Sequence, residues 1–262
     1  MSLKIIFMGT PEFEIPTLKL INKSNHEILK VYTQSPKKKN RGLKINLSPV
    51  HKLSNEINLE VRHPANLNTK EEIDYISKLN PDVVVVVAYG KIIPTKMLNL
   101  KNIKFLNIHA SLLPKWRGAA PIQRAIMNLD KVTGISIMKI EPKLDSGPVI
   151  MSEKIGISNQ TNFVSLSKQM SDLGSKMILK CLDLIEKKKE HYITQDETKA
   201  TYAKKISKKE SKIDWSDKAK AIVAKVNALN PNPGSWFEMN GYRIKTIKAI
   251  EIEKKGDPGI II

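Results

Sequence analysis

The run DVVVVVA at Asp82–Ala88 decides the fold. Its unbroken β-branched stretch, with no polar alternation, fits a parallel strand covered on both faces. Working outward, Leu3–Met8 is an apolar run closed by Gly9 and reads as a buried strand. Pro11 to about Ser24 follows as a helix with apolar Phe13, Leu18 and Ile21, and Ile28–Thr33 is a second strand. Ser48–Asn58 opens with Ser-Pro, a helix start. Thr69–Leu79 has a cap at Thr69 and Glu71 and Glu72 in its first turn. Ile103–His109 reads as a strand and Ala119–Asn128 as a helix. This alternation predicts a doubly wound, Rossmann-like α/β sheet. Ligands of such sheets sit beyond the carboxyl ends of the strands. That rule points at Gly9–Pro11, Ala88–Lys91 and Asn107–Pro114.

From Thr133 the pattern changes. Gly134–Ile140 and Val149–Ile157 read as strands flanking the loop Glu141–Pro148, and Asn162–Lys189 is a long helical pattern capped near Thr161. The polar stretch Lys187–Lys212 reads as a linker. A helix around Trp215–Ala228, a turn at Asn230–Gly234 and strands at Ser235–Met239 and Tyr242–Ile250 follow. The final GDPGIII reads as a turn and half a strand, so a small β domain is expected to be incomplete.

The 262 residues suffice for one large or two modest domains. The single cysteine, Cys181, excludes an internal disulfide and a cysteine-built zinc site. The N-terminal apolar run is too short for a signal peptide, and the longest apolar run, Val83–Ala88, is too short to cross a bilayer. A cytoplasmic chain with no membrane partner is expected. The net charge is +18, but it comes from 39 Lys and only 5 Arg beside 34 Ile and 19 Asn. That mix fits codon drift toward A and T as well as selection for a polyanion, so charge alone argues weakly for nucleic acid. The arginines are more telling, because Arg41, Arg117 and Arg124 fall in segments that stand out on other grounds.

Gly9-Thr10-Pro11 occupies the position of a phosphate-binding turn but has one glycine followed by proline. A dinucleotide site needs a second glycine for close backbone approach, so the turn speaks against NAD and FAD, and a plain strand-to-helix turn remains open. Asn107-Ile108-His109 places an amide and an imidazole on one side of a strand end. Together they could hold an oxyanion in acyl transfer; alone, the pair also reads as a strand-end histidine satisfied by backbone. Asp145 in Lys143–Gly147 could orient that imidazole, or be a turn aspartate before glycine. Thr33–Pro49, TQSPKKKNRGLKINLSP, is a long polar loop too charged for a core, either a mobile surface loop or a phosphate contact. The tryptophans Trp116, Trp215 and Trp236 read as core or loop anchors.

Four segments carry a resemblance: FMGTPEF at Phe7–Phe13, VVVVAYGKIIP at Val84–Pro94, NIHASLLPKWRGAAPIQR at Asn107–Arg124 and QDETKATYAKKISKKESKIDWS at Gln195–Ser216. In this order, over nearly the whole chain, they resemble methionyl-tRNA formyltransferases. The resemblance implies that residues 1–189 form a formyltransferase catalytic domain, 190–208 a linker, and 209–262 part of a tRNA-binding β-barrel similar to an OB fold. It implies transfer of formyl from 10-formyltetrahydrofolate to the methionine amino group of initiator tRNA by a monomer without metal. Asn107, His109 and Asp145 become the catalytic group. Ser111, Leu112, Leu113 and Pro114 become folate contacts, with the pterin near Ala88, Tyr89 and Gly90. Lys37, Lys38, Lys39, Arg41 and Lys44 become the loop that enters the tRNA acceptor end. One departure is Glu141-Pro142-Lys143, where a small residue is expected near Lys143. The rival expectations are a folate-dependent formyltransferase for a small amine, such as a nucleotide sugar or glycinamide ribonucleotide, and an inactive RNA- or folate-binding relative.

Overall fold

Val83–Val87 form a strand with every side chain buried, as the unbroken valine run requires. The computed structural model describes residues 2–39, 44–254 and 256–260. In chain order the elements are β1 Lys4–Gly9, α1 Ile15–Asn22, β2 Glu27–Tyr32, β3 Lys37–Lys39, β4 Lys44–Asn46, α2 Pro49–Glu56, β5 Val61–Arg62, α3 Lys70–Leu79, β6 Val83–Val87, α4 Thr95–Leu98, β7 Lys104–His109, β8 Arg117–Gly118, α5 Pro121–Met127, β9 Val132–Lys139, β10 Val149–Gly156, α6 Phe163–Glu186, β11 Tyr202–Ala203, α7 Ala219–Leu229, β12 Ser235–Met239 and β13 Tyr242–Thr246. The chain divides into two compact units.

The first unit comprises Met1–His109, Ile135–Glu153 and Ser171–Asp196. Its sheet has the strand order β10-β9-β7-β6-β1-β2-β5. β1 pairs in parallel with β2 and β6, β6 with β7, and β2 with β5, while β9 runs antiparallel to β7. This is the doubly wound arrangement, and the order reverses between β1 and β6, the switch point of the fold. One layer of core packs Ile6, Met8, Tyr32, Val84, Val86 and Phe105 against Ile76 of α3 and Met97 of α4. The expected caps are present: Ser48 Oγ accepts from His51 N at 3.0 Å, and Thr69 Oγ1 from Glu72 N at 3.3 Å.

The helix expected from Pro11 begins as a 3₁₀ turn at Glu12–Glu14 and becomes α-helical only at Ile15, because Pro16 sits at the start of α1. Two short stretches of the polar segment after β2 are strands. β3 and β4 form an antiparallel hairpin in which Lys37, Lys38 and Lys39 register with Asn46, Ile45 and Lys44. Arg41, expected in this loop, lies outside the described residues.

One feature of the first unit is adverse to stability. The Glu14 side chain is fully buried and neither carboxyl oxygen has a hydrogen-bond partner. Burial pushes its pKa from 4.5 up to about 9. The folded chain therefore keeps a proton that the unfolded chain releases, and stability falls as pH rises from about 4.5 through about 9. At about 1.4 kcal/mol per pH unit the loss reaches about 3 kcal/mol by pH 7. Glu14→Gln should remove this slope. The melting-temperature advantage of the variant should widen from pH 5 to pH 9, by about 2–4 °C for each kcal/mol. Parallel melting curves against pH for the two proteins would contradict the account.

The second unit comprises Ala110–Gly134, Lys154–Met170 and Glu197–Ile262. Here the segment read as a linker is pinned. β11 pairs in parallel with β8, and Arg117 N donates to Thr201 O at 2.8 Å and Ala119 N to Ala203 O at 2.9 Å. The segment is poor in apolar residues, yet main-chain hydrogen bonds hold it in place. Of the expected partial barrel, the described residues form α7 and the antiparallel β12–β13 hairpin around Ile213, Ile222 and Val226. The last strand ends at Thr246, not Ile250, and the final residues make a turn at Pro258-Gly259. Among the described residues no helix is long and apolar enough to cross a membrane.

Candidate active site

The carboxyl ends of β1, β2, β6 and β7 lie side by side in the first unit. Asn107 registers with Val86, so it stands beside the last turns of the valine strand, and His109 ends β7. Asn107 is half-buried and His109 buried. His109 Nδ1 lies 3.7 Å from Asp145 Oδ2, the Asp145 side chain being mostly buried as well. At that distance the contact is electrostatic and not a hydrogen bond. The imidazole and carboxylate that sequence placed 36 residues apart therefore meet, in surroundings where charges are screened little by water.

Asp145 is held there by its backbone. Its φ is +45°, in the left-handed region, so neighbouring structure must impose the turn. The Gln195 side-chain amide, nearly buried, donates to the carbonyls of Asp145 at 2.9 Å and Gly147 at 2.7 Å. At Gly147 a Cβ would stand 1.9 Å from the Lys139 carbonyl oxygen, which no side chain could survive. The loop thus finds its small residue at Gly147 and not near Lys143. Sequence reading missed Gln195, and its only signal was that it opens the fourth resembling segment.

Ala88 and Gly90 follow β6 with φ of +38° and +78°, both exposed, flanking a buried Tyr89. The Tyr89 carbonyl accepts from Thr10 Oγ1 at 3.0 Å and from Gln34 Nε2 at 3.1 Å. Burial pushes the Tyr89 phenol up to about 12, so it stays protonated at any physiological pH.

Ser111, Leu112, Leu113 and Pro114 belong to the second unit. Their loop is closed on itself by Ser111 Oγ donating to Lys115 O at 2.5 Å and Lys115 N to Leu112 O at 3.1 Å. Arg117 and Arg124, singled out as telling, hold structure together. The fully buried Arg117 guanidinium pairs with Glu197 at 2.7 and 3.1 Å. Arg124 pairs with Glu210 at 2.6 Å, holding its carboxyl down to about 2, and also donates to the Lys204 carbonyl. Trp116 is an anchor as expected, its Nε1 donating to Asp130 at 2.7 Å. Lys37, Lys38, Lys39 and Lys44 are placed only as backbone of the hairpin.

The family model described as formyl transferase matches residues 3–182, and that for the formyl transferase C-terminal domain matches residues 205–262. The chain is 49% identical to the methionyl-tRNA formyltransferase of Pelagibacter ubique over 263 residues, covering all of this chain and 85% of that protein. The chain belongs to the methionyl-tRNA formyltransferase family. It is therefore a one-carbon group transferase. Among solved structures, the methionyl-tRNA formyltransferase of Clostridium thermocellum shares the fold at TM-score 0.65 and 18% identity, over 97% of this chain and 95% of that one. HypX of Aquifex aeolicus, solved in complex with tetrahydrofolic acid, shares it at TM-score 0.71 and 19% identity, over 99% of this chain and 40% of that one. A family defined by formyl transfer to an amine gives the Asn107, His109 and Asp145 cluster a chemical context that the fold alone would not supply.

Proposed function

We propose that the chain formylates the amino group of methionine on initiator tRNA, with Asn107, His109 and Asp145 as its catalytic residues. The observation that carries this reading is the approach of His109 to Asp145 beside Asn107 at one strand end. The α-amine, with an ordinary pKa near 7.7–8.0, needs little help to be neutral, and in that form attacks the formyl carbon. Negative charge then develops on the formyl oxygen. The Asn107 amide and the His109 imidazole are donors suited to that charge, and a fixed donor in a water-poor site is worth roughly 2.7–4 kcal/mol. Asp145 orients the imidazole and holds the amine proton, which would pass to the folate nitrogen as its bond to the formyl carbon breaks.

Bound 10-formyltetrahydrofolate would supply the activated formyl group. The residues present fit it. Ala88 and Gly90 are exposed at the switch point, where a flat ring can approach, and a Cβ at Gly90 would stand 2.2 Å from Gln34 Nε2. Ser111, Leu112, Leu113 and Pro114, which the resemblance also assigns to the folate, follow His109 in the chain.

For the tRNA, the β3–β4 hairpin concentrates Lys37, Lys38, Lys39 and Lys44 within a short span that also contains Arg41. The deciding assay is formyl transfer from 10-formyltetrahydrofolate to methionyl initiator tRNA, run beside an amino nucleotide sugar. Turnover of the sugar but not the tRNA would overturn the reading. Within that assay, Arg41→Ala should raise the KM for charged tRNA. It should also flatten the salt dependence of tRNA affinity by about 0.7–0.9 in log–log slope, one phosphate contact's worth. Lys180→Ala, in the middle of α6, should do neither. Equal slopes in all three proteins would return the positive charge to composition.

A further inference from the structure

We infer that Thr10 and Gln34 are positioning residues that set the shape of the Ala88–Gly90 loop for the folate donor. The inference rests on the folate reading above. The turn Gly9-Thr10-Pro11 carries no phosphate-binding pattern, yet it stands at the switch point between β1 and β6, where this architecture places its ligand. What the turn contributes is a hydroxyl. Thr10 Oγ1 donates to the Tyr89 carbonyl at 3.0 Å and accepts from Gln34 N at 3.3 Å, so its donor and one acceptor position are both used. Gln34 closes the bracket with its own amide on the same carbonyl at 3.1 Å. One backbone oxygen thereby ties together the loops after three adjacent strands, β2, β1 and β6.

The loop needs such a bracket. Ala88 is not a glycine and sits at φ +38°, and Gly90 follows at +78°. A left-handed alanine persists only where the surroundings over-determine it. The Tyr89 ring supplies one anchor by burial, and Thr10 and Gln34 supply the other at its carbonyl. With that carbonyl already accepting two hydrogen bonds, the exposed residues that a pterin can address are Ala88 and Gly90. Neither Thr10 nor Gln34 has to touch the ligand for this. Their effect on the donor is through loop shape, so it should appear in folate affinity and not in the chemical step.

The test measures tetrahydrofolate affinity by calorimetry and steady-state kinetics for the wild type, Thr10→Val, Thr10→Ser and Gln34→Leu. Gln34→Leu should weaken tetrahydrofolate binding by about three- to tenfold, the range expected for one lost hydrogen bond, and Thr10→Val, which loses two, by at least as much. The KM for the formyl donor should rise by a similar factor. The kcat at saturating donor and the KM for methionyl-tRNA should stay near wild type. Thr10→Ser, which keeps the hydroxyl, should restore affinity to within about twofold. The double variant should lose less than the product of the two single losses, because both act on one carbonyl. Affinities equal to wild type in Thr10→Val and Gln34→Leu would overturn the bracket and leave the folate reading standing. A loss in Thr10→Val that Thr10→Ser does not repair, or a fall in kcat with unchanged affinity, would overturn it as well. A wild type that does not bind tetrahydrofolate would overturn the folate reading first and this inference with it.

Discussion

In His109→Ala, formyl transfer to methionyl-tRNA should fall by about a hundredfold or more, with the protein still folded. The expectation follows from position. His109 closes β7 beside Asn107, and the imidazole is buried where a developing oxyanion would find little competing water. Loss of one such donor lowers turnover by about 10²–10³. Asp145→Asn keeps the size of the side chain and removes its charge, so it tests the second role separately. If Asp145 acts through the imidazole, the double variant should be scarcely slower than His109→Ala alone, the signature of two groups working as a unit. Rapid-quench measurement of a single turnover would isolate the chemical step from product release. A kcat near wild type in His109→Ala would remove the imidazole from the mechanism, and additive losses in the double variant would separate Asp145 from it.

The sequence carried the frame of the first unit because apolar periodicity and burial coincide there. The valine run can only be an inner parallel strand, and the caps at Ser48 and Thr69 lie on the residues that mark them. Asn107 and His109 were legible for the same reason, being neighbours on one strand. What holds the site together was less visible, since it consists of polar contacts between residues far apart in sequence. Gln195 reaches the Asp145 carbonyl across 50 positions, and Gln34 reaches Tyr89 across 55. Such contacts leave no periodic trace. The short strands β3, β4, β5, β8 and β11 escaped as well, for two or three residues of ladder carry no alternation to read. Glu14 left no sign in the sequence either: it is a charged residue that the fold buries and keeps protonated.

The largest loss of stability from a substitution is expected at the buried arginine of the second unit. Arg117 has no exposed surface, and its guanidinium meets both oxygens of Glu197, at 3.1 and 2.7 Å. Its neighbours leave little room for adjustment. Trp116 has φ +60°, Gly118 has φ +117°, and a Cβ at Gly118 would lie 2.9 Å from the Ala203 carbonyl oxygen. Glu197→Gln keeps the shape and removes the negative charge, so the guanidinium stays buried without that carboxylate. Breaking one side of a buried pair costs about 3–5 kcal/mol. The Glu197 side chain is half-exposed, which lowers the expectation to about 2–3 kcal/mol, or a fall in melting temperature of about 5–10 °C. Replacing both partners tells whether charge is the cause. Arg117→Met in the Glu197→Gln background removes the buried cation as well and should recover part of the loss, since an apolar side chain suits a fully buried position. Calorimetric scans of the three proteins at one pH and ionic strength give the answer. A Glu197→Gln protein melting within about 1 °C of wild type would show that the segment is held by the β8–β11 ladder and the backbone bonds to Thr201 and Ala203 alone.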